Sequence, residues 1–152
     1  MSSNKYISLD GERNSFFERL SVYIKKKKLF DRDYLLSLEI DKILDLRNND
    51  DFSENWMRIY NELQTYKLEE ERKNEITEII KEIFLLVYEI TNDGELAGEI
   101  SDDFELICIA YNFGFEDVWL SSMVNIYANK KIPYGILKNK SESLKTEFLR
   151  IK

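Results

Sequence analysis

The chain is expected to be mainly α, a single compact bundle of about six helices formed by residues 1–152, and three observations lead there. Apolar residues recur at intervals of three and four over most of its length, the spacing that puts them on one side of a helix. Pro occurs once and Gly five times, so little of the chain is pre-set for tight turns. The abundant Leu, Ile, Glu and Lys are all good helix formers.

Taken in order, the first helix is predicted from Ser15 to Lys28, with Ser15 and Glu18 at capping-box spacing and Phe16, Leu20, Tyr23 and Ile24 on one face. Asp31 to Leu46 reads as helix broken near Asp41, although the alternation Leu36, Leu38, Ile40 also fits a short extended piece. Asn48 to Asp51 is a polar turn, after which Ser53 is the expected cap of a helix carrying Trp56, Ile59, Tyr60, Leu63 and Tyr66. Glu69 to Ile90 carries an apolar stripe that widens toward its end, as expected of the central and most buried helix.

Asn92, Asp93 and Gly94 interrupt that pattern, and Gly94 to Ile100 is read as the main loop, with Ser101 or Asp102 starting the next helix. Gly114 sits where a helix end favours a left-handed residue, between Phe113 and Phe115, and leads into a helix from Glu116 to Asn129. Those two helices are expected to form a hairpin. Pro133 and Gly135 close it, and a last helix is expected from Ser141 to Ile151. No repeat period of about 34 residues recurs, which favours one bundle over a solenoid.

Composition removes several classes of function. Histidine is absent, and with it the commonest general base and metal ligand. The single cysteine, Cys108, cannot close an internal disulfide, and the polar start of the chain lacks a secretory apolar run, so a cytoplasmic location is expected. No apolar run approaches the roughly 20 residues of a membrane span, so no membrane association is expected. No cofactor or metal is expected either, and the chain is read as a binder and not an enzyme.

The informative feature is charge. From Glu82 to Asn129 there is no Lys or Arg, while Glu82, Glu89, Asp93, Glu95, Glu99, Asp102, Asp103, Glu105, Glu116 and Asp117 give −10. The last 23 residues carry +5, within a total of −7. A one-sign stretch of this length points to a negative potential directed at a cationic partner. First-turn capping is the competing reading for Asp102, Asp103, Glu116 and Asp117. Interfaces combine such charge with aromatic anchors, and the expected partner-binding residues are Glu95, Glu99, Asp102, Asp103, Glu105, Tyr111, Glu116 and Asp117. Tyr111 is expected to be the exposed aromatic anchor. Trp119, with Met123, Ile126 and Tyr127 at helical spacing, fits the core instead.

Other signals are weaker. Lys25 to Lys28 suits the C-terminal end of a helix dipole, and the net charge opposes phosphate binding, so nucleic acid is not an expected partner. A calcium loop from Asp93 fails at Ala97 and Phe104, which hold positions that should supply oxygen. Carboxylate-only chemistry near Glu99, Asp102 and Asp103 stays open as a lesser alternative, and Cys108 lies on an apolar face where thiols are inert.

The stretch from Glu95 to Pro133, about a quarter of the chain, with Ile100-Ser101-Asp102-Asp103-Phe104, Trp119-Leu120, Tyr127 and Ile132-Pro133, resembles the immunity proteins of bacterial toxin–immunity systems such as those of contact-dependent growth inhibition. The resemblance implies tight binding to a basic toxin C-terminal domain, often a nuclease, whose substrate groove is blocked by carboxylates standing in for phosphates. The alternative is a helical adaptor or regulatory module, homo-oligomeric in one version, that presents apolar residues to a partner helix.

Overall fold

The structure, a computed structural model, describes residues 15–138. Among them are seven α-helices and no strand: α1 (15–25), α2 (Arg32–Leu36), α3 (Ile40–Arg47), α4 (Asp50–Leu63), α5 (Glu70–Thr91), α6 (Gly94–Phe113) and α7 (Val118–Ala128). The mainly α bundle expected from apolar periodicity is what forms. The helix expected from Ser141 to Ile151 lies outside the described residues.

Helix ends are set by specific side chains, and several expected boundaries move because of them. Ser15 stands inside α1, and that helix closes at residue 25 with Lys27 in the left-handed region at φ 55°. The Lys27 N–H donates to Ile24 O and the Lys28 N–H to Tyr23 O, the paired bonds of a Schellman close. The same pairing recurs at Gly114, where Gly114 and Phe115 donate to Tyr111 O and Ala110 O, and at Lys130, where Lys130 and Lys131 donate to Tyr127 O and Ile126 O. Two of these three left-handed positions are lysines, so glycine alone is an incomplete guide to helix ends.

The 31–46 segment is helical in two parts, broken at Ser37 to Glu39 and not at Asp41, since Ser37 turns its hydroxyl back to Tyr34 O and ends α2. Asp31 caps α2 through the N–H of Asp33. Asn49, four residues before the expected Ser53, caps α4 by accepting from the Asp51 N–H at 3.0 Å. Within α4 it is Phe52, Ile59 and Leu63 that are buried, while Tyr60 faces outward; Tyr66 lies in the turn beyond the helix and is exposed.

The largest correction concerns residues 94–100, which form the first two turns of α6 and not a loop. Asp93 accepts from the Leu96 N–H at 2.9 Å, and Leu96, Ala97 and Ile100 are wholly buried. Two glycines in a helix cost about 1 kcal/mol each, which a cap and three buried side chains more than offset. Ser101 and Asp102 are therefore mid-helix, so the capping explanation for Asp102 and Asp103 falls. Asp93 and Asp117 are the acids that cap α6 and α7.

The most extensive helix pairing is α5 against α6, joined by Asn92 (φ 57°) and Asp93, in place of the expected hairpin of the helices either side of Gly114. α6 also packs on α4, α2 on α5, and α3 on α4. α7 joins through large side chains: Trp119 meets Phe52 edge-on at 5.1 Å and Tyr127 meets Phe104 at 4.7 Å between ring centroids. Trp119 is core, as its spacing suggests. The most buried helices are α6 and α7, because α5 keeps one broad face in solvent with Leu85 and Tyr88 exposed. After α7 the chain returns to the start of the bundle, where Tyr34 Oη accepts from the Ile132 N–H.

Candidate functional site

Where α3, α4 and α6 converge, Arg47 lies in the interior. It closes α3 in the turn where a cation complements the helix dipole, and every nitrogen of its guanidinium donates a hydrogen bond. Nη2 donates to Asp103 Oδ1 at 2.8 Å and Oδ2 at 2.9 Å, Nε donates to Glu99 Oε1 at 2.8 Å, and Nη1 donates to Pro133 O at 2.8 Å. The Phe52 ring lies 4.6 Å from the guanidinium carbon. Asp103 also accepts from Trp56 Nε1 at 2.9 Å and from the Tyr127 hydroxyl.

This network ties α3, α4, α6, α7 and the 133 segment to one carboxylate. Burial opposes the Arg47 charge, but the groups around it, Asp103 foremost and Glu99 with it, together outweigh that effect and hold the guanidinium pKa above its ordinary value. Burial, together with the Asp103 charge, pushes the Tyr127 phenol well up, which keeps it a neutral donor.

On the solvent side of the network lies an open cleft of about 210 Å³. α4 lines it with Ser53, Trp56 and Met57, α6 with Glu99, Asp102 and Asp103, and Arg47 and Phe52 complete it. Trp56 is partly buried and stacks on the exposed Tyr60 at 5.4 Å, and Met57 is exposed. Aromatic and thioether surface thus sits beside carboxylates, in the manner of interface anchors.

The residues expected to bind a partner divide into distinct environments. Glu95, Glu99 and Asp102 fall within one stripe of α6, at i, i+4 and i+7, and Glu95 and Asp102 are exposed. Burial at the cleft rim, then Glu105, Asp103 and Glu99, raises the Asp102 carboxyl above the ordinary aspartate range. Glu105 and Glu116 are exposed as well.

Asp103 differs: it is 0% exposed and its charge is consumed inside. Asp117 is the N-cap of α7, accepts from the Leu120 N–H, and pairs with Arg58 at 2.6 Å. Tyr111 is not the exposed anchor. It is partly buried and stacks on Phe16 with centroids 3.9 Å apart, because α1 covers that face of α6.

The sequence count of −10 overstates the negative face for the same reason. Arg47, Arg58 and Lys27, all outside the acidic stretch, reach Asp103 and Glu99, Asp117, and Glu89 respectively. Arg47, Phe52 and Met57 went unnoticed as site residues. A lone arginine between Leu46 and Asn48 was the available signal, and nothing local links it to an acid 56 positions away.

Among the described residues no group of three His, Cys, Asp or Glu could hold a metal ion, and no helix is long and apolar enough to cross a membrane. Cys108 is wholly buried and burial pushes its thiol far up, which leaves it no nucleophilic character near neutral pH. The profile of the family "Immunity protein PIM1" matches residues 19–134, about three quarters of the chain. The chain belongs to that family. Comparison with curated proteins finds no match. The PIM1 match spans α2 to α7 and most of α1, ending at Tyr134, so the Arg47 network and its cleft lie entirely inside the immunity-protein region. Membership carries an immunity function within a toxin–immunity system, and with it a toxin as partner.

Proposed function

We propose that this immunity protein neutralises a cognate cationic toxin domain, a nuclease in the favoured version, by stoichiometric binding through the α6 acidic stripe and the adjoining α4 wall, in the cytoplasm of a bacterium that makes the toxin. The observation that carries the reading is the placement of Glu99 and Asp102 beside Trp56 and Met57, with Glu95 on the same stripe of α6 and Tyr60 stacked on Trp56. Exposed carboxylates steer a basic partner, and partly buried aromatic side chains supply the desolvated contact that holds it. Asp102 supports this from another direction. Burial and then the like charges of Glu105, Asp103 and Glu99 raise its carboxyl pKa, an arrangement that costs stability unless a cation is supplied from outside. The chain itself acts as an inhibitor, without turnover.

The test is association with the cognate toxin domain, measured by stopped flow at low and high salt. Charge reversal at Glu95 and Asp102 is expected to slow association at least tenfold and to flatten its salt dependence. Asp103 is unsuited to that test, since a lysine there would replace a buried paired carboxylate. An association rate indifferent to salt and to both substitutions would sink the acidic-face reading. The adaptor alternative has its own surface in the exposed Leu85 and Tyr88 of α5, and salt-insensitive self-association through them would favour it.

A further inference from the structure

We propose that the cleft between α4 and α6 is a receptor for one guanidinium, the side chain of a single arginine on the partner, seated between Trp56 and Met57 on one wall and Glu99 and Asp102 on the other. The inference rests on the acidic-face reading and specifies its central contact. Size is the first argument. At about 210 Å³ the cleft is smaller than the roughly 300–1,000 Å³ of small-molecule pockets, so it takes a side chain and not a cofactor.

Charge is the second. Glu99, Asp102 and Asp103 contribute three negative charges against the one of Arg47, leaving the cleft at −2. The Asp102 side chain makes no hydrogen bond or ion pair with any described residue, so its carboxylate is available. Glu99 gives Oε1 to Arg47, which leaves Oε2 for a second donor. Apart from burial, Glu105, Asp103 and Glu99 each act on the Asp102 carboxyl more strongly than Arg47 does, so the potential at the rim is negative on balance.

The third argument is that this corner of the molecule already holds one guanidinium. Arg47 rests against the Phe52 ring with carboxylates in the hydrogen-bonding plane, and the cleft offers the same elements again one layer out: the Trp56 indole, then Glu99 and Asp102. A planar guanidinium stacks on an aromatic wall while bonding a carboxylate edge, whereas a compact, strongly hydrated ammonium gains little from the wall. Arginine is therefore preferred over lysine.

The test uses the emission of Trp56, with Trp119→Phe removing the other tryptophan. That indole Nε1 has no hydrogen-bond partner among the described residues, so the substitution removes no bond. The Trp56 indole N–H resonance of the unsubstituted protein gives the same readout independently. The probes are acetyl-Gly-Arg-Gly-amide, its lysine counterpart and its citrulline counterpart, at matched ionic strength. Saturable binding of the arginine peptide is expected with Kd on the order of 10 mM, several-fold weaker for lysine and absent for citrulline, and lost in Asp102→Asn. Equal response to arginine and lysine, no saturable response, or indifference to Asp102→Asn overturns the receptor. If the toxin complex still depends on salt and on Glu95 while the peptides do nothing, the receptor fails and the acidic face stands. Salt-insensitive toxin binding removes the acidic face whatever the peptides do.

Discussion

Arg47 Nη2 donates to both carboxylate oxygens of Asp103, at 2.8 and 2.9 Å, between side chains 3% and 0% exposed. Two opposite charges withdrawn together from water are a costly pair to divide. Among the described residues the desolvation penalty of each is met by the other and by hydrogen bonds with Glu99, Trp56, Tyr127 and Pro133.

Removing one partner should therefore cost far more than a surface salt bridge. Arg47→Met is expected to destabilise by about 3–5 kcal/mol, and adding Asp103→Asn should recover part of that, because a neutral amide oxygen still accepts from Trp56 or Tyr127. Tyr127→Phe, which takes one donor from a buried carboxylate, should cost about 1.5–3 kcal/mol. Urea midpoints at unchanged slope are the measurement. A double variant weaker than Arg47→Met alone would contradict the network.

Asp102 and Asp117 should respond to neutralisation with opposite signs. Asp102 has a raised pKa, so its favourable contribution is present below the unfolded-state value and lost as pH rises through the folded value. Asp102→Asn should raise Tm at pH 7, and the gain should fade as pH falls through the raised folded value and be gone below about 4.

For Asp117 burial pushes the carboxyl up, but hydrogen bonds from Arg58 and from the Leu120 N–H outweigh it and the pKa is lowered. Its contribution is present above the unfolded value and lost as pH falls through the depressed folded one. Asp117→Asn keeps a competent cap, so it isolates the charge: Tm should drop at pH 7 and the difference should close in acid. Melting curves across pH 3–7 read both; a shared sign for the two variants would refute the assignments.

Two glycines make a third contrast. A Cβ at Gly98 would meet Phe84 at 4.0 Å, ordinary contact, and Gly98 lies inside α6. Gly98→Ala should stabilise by up to about 1 kcal/mol. Gly114 meets nothing within 4 Å but has φ +67°, so Gly114→Ala should destabilise by about 1 kcal/mol through backbone strain alone. Thermal or urea unfolding separates them, and a loss at Gly98 would contradict the 4.0 Å clearance between α6 and Phe84.

A partner test follows from exposure. Trp56→Ala should lower affinity for the toxin more than Tyr111→Ala, since Trp56 lines the cleft and Tyr111 stacks under α1. Because Trp56 also donates to Asp103, Tm is measured alongside, and the toxin dissociation rate at a temperature where both variants stay folded decides the comparison. Faster dissociation from Tyr111→Ala would move the interface to the α1 side.

What the sequence determined by itself was local: helix content from apolar spacing, the left-handed close at Gly114, the core position of Trp119, and an acidic stretch from Glu82 to Asp117. These depend on neighbours within a turn or two, and i to i+4 geometry is written in residue order. Tertiary structure decided the rest. Gly94 to Ile100 became helix because burial of Leu96, Ala97 and Ile100 outweighs the poor propensity of two glycines. Asp102 and Asp103, adjacent in the chain, point about 100° apart on α6, so one meets solvent and the other meets Arg47. The acidic surface proposed to bind the toxin thus keeps its address on α6 but loses Asp103 to the core, and the aromatic side chains proposed beside it are Trp56 and Tyr60 on another helix, because only folding brings residues 47 positions apart within a hydrogen bond.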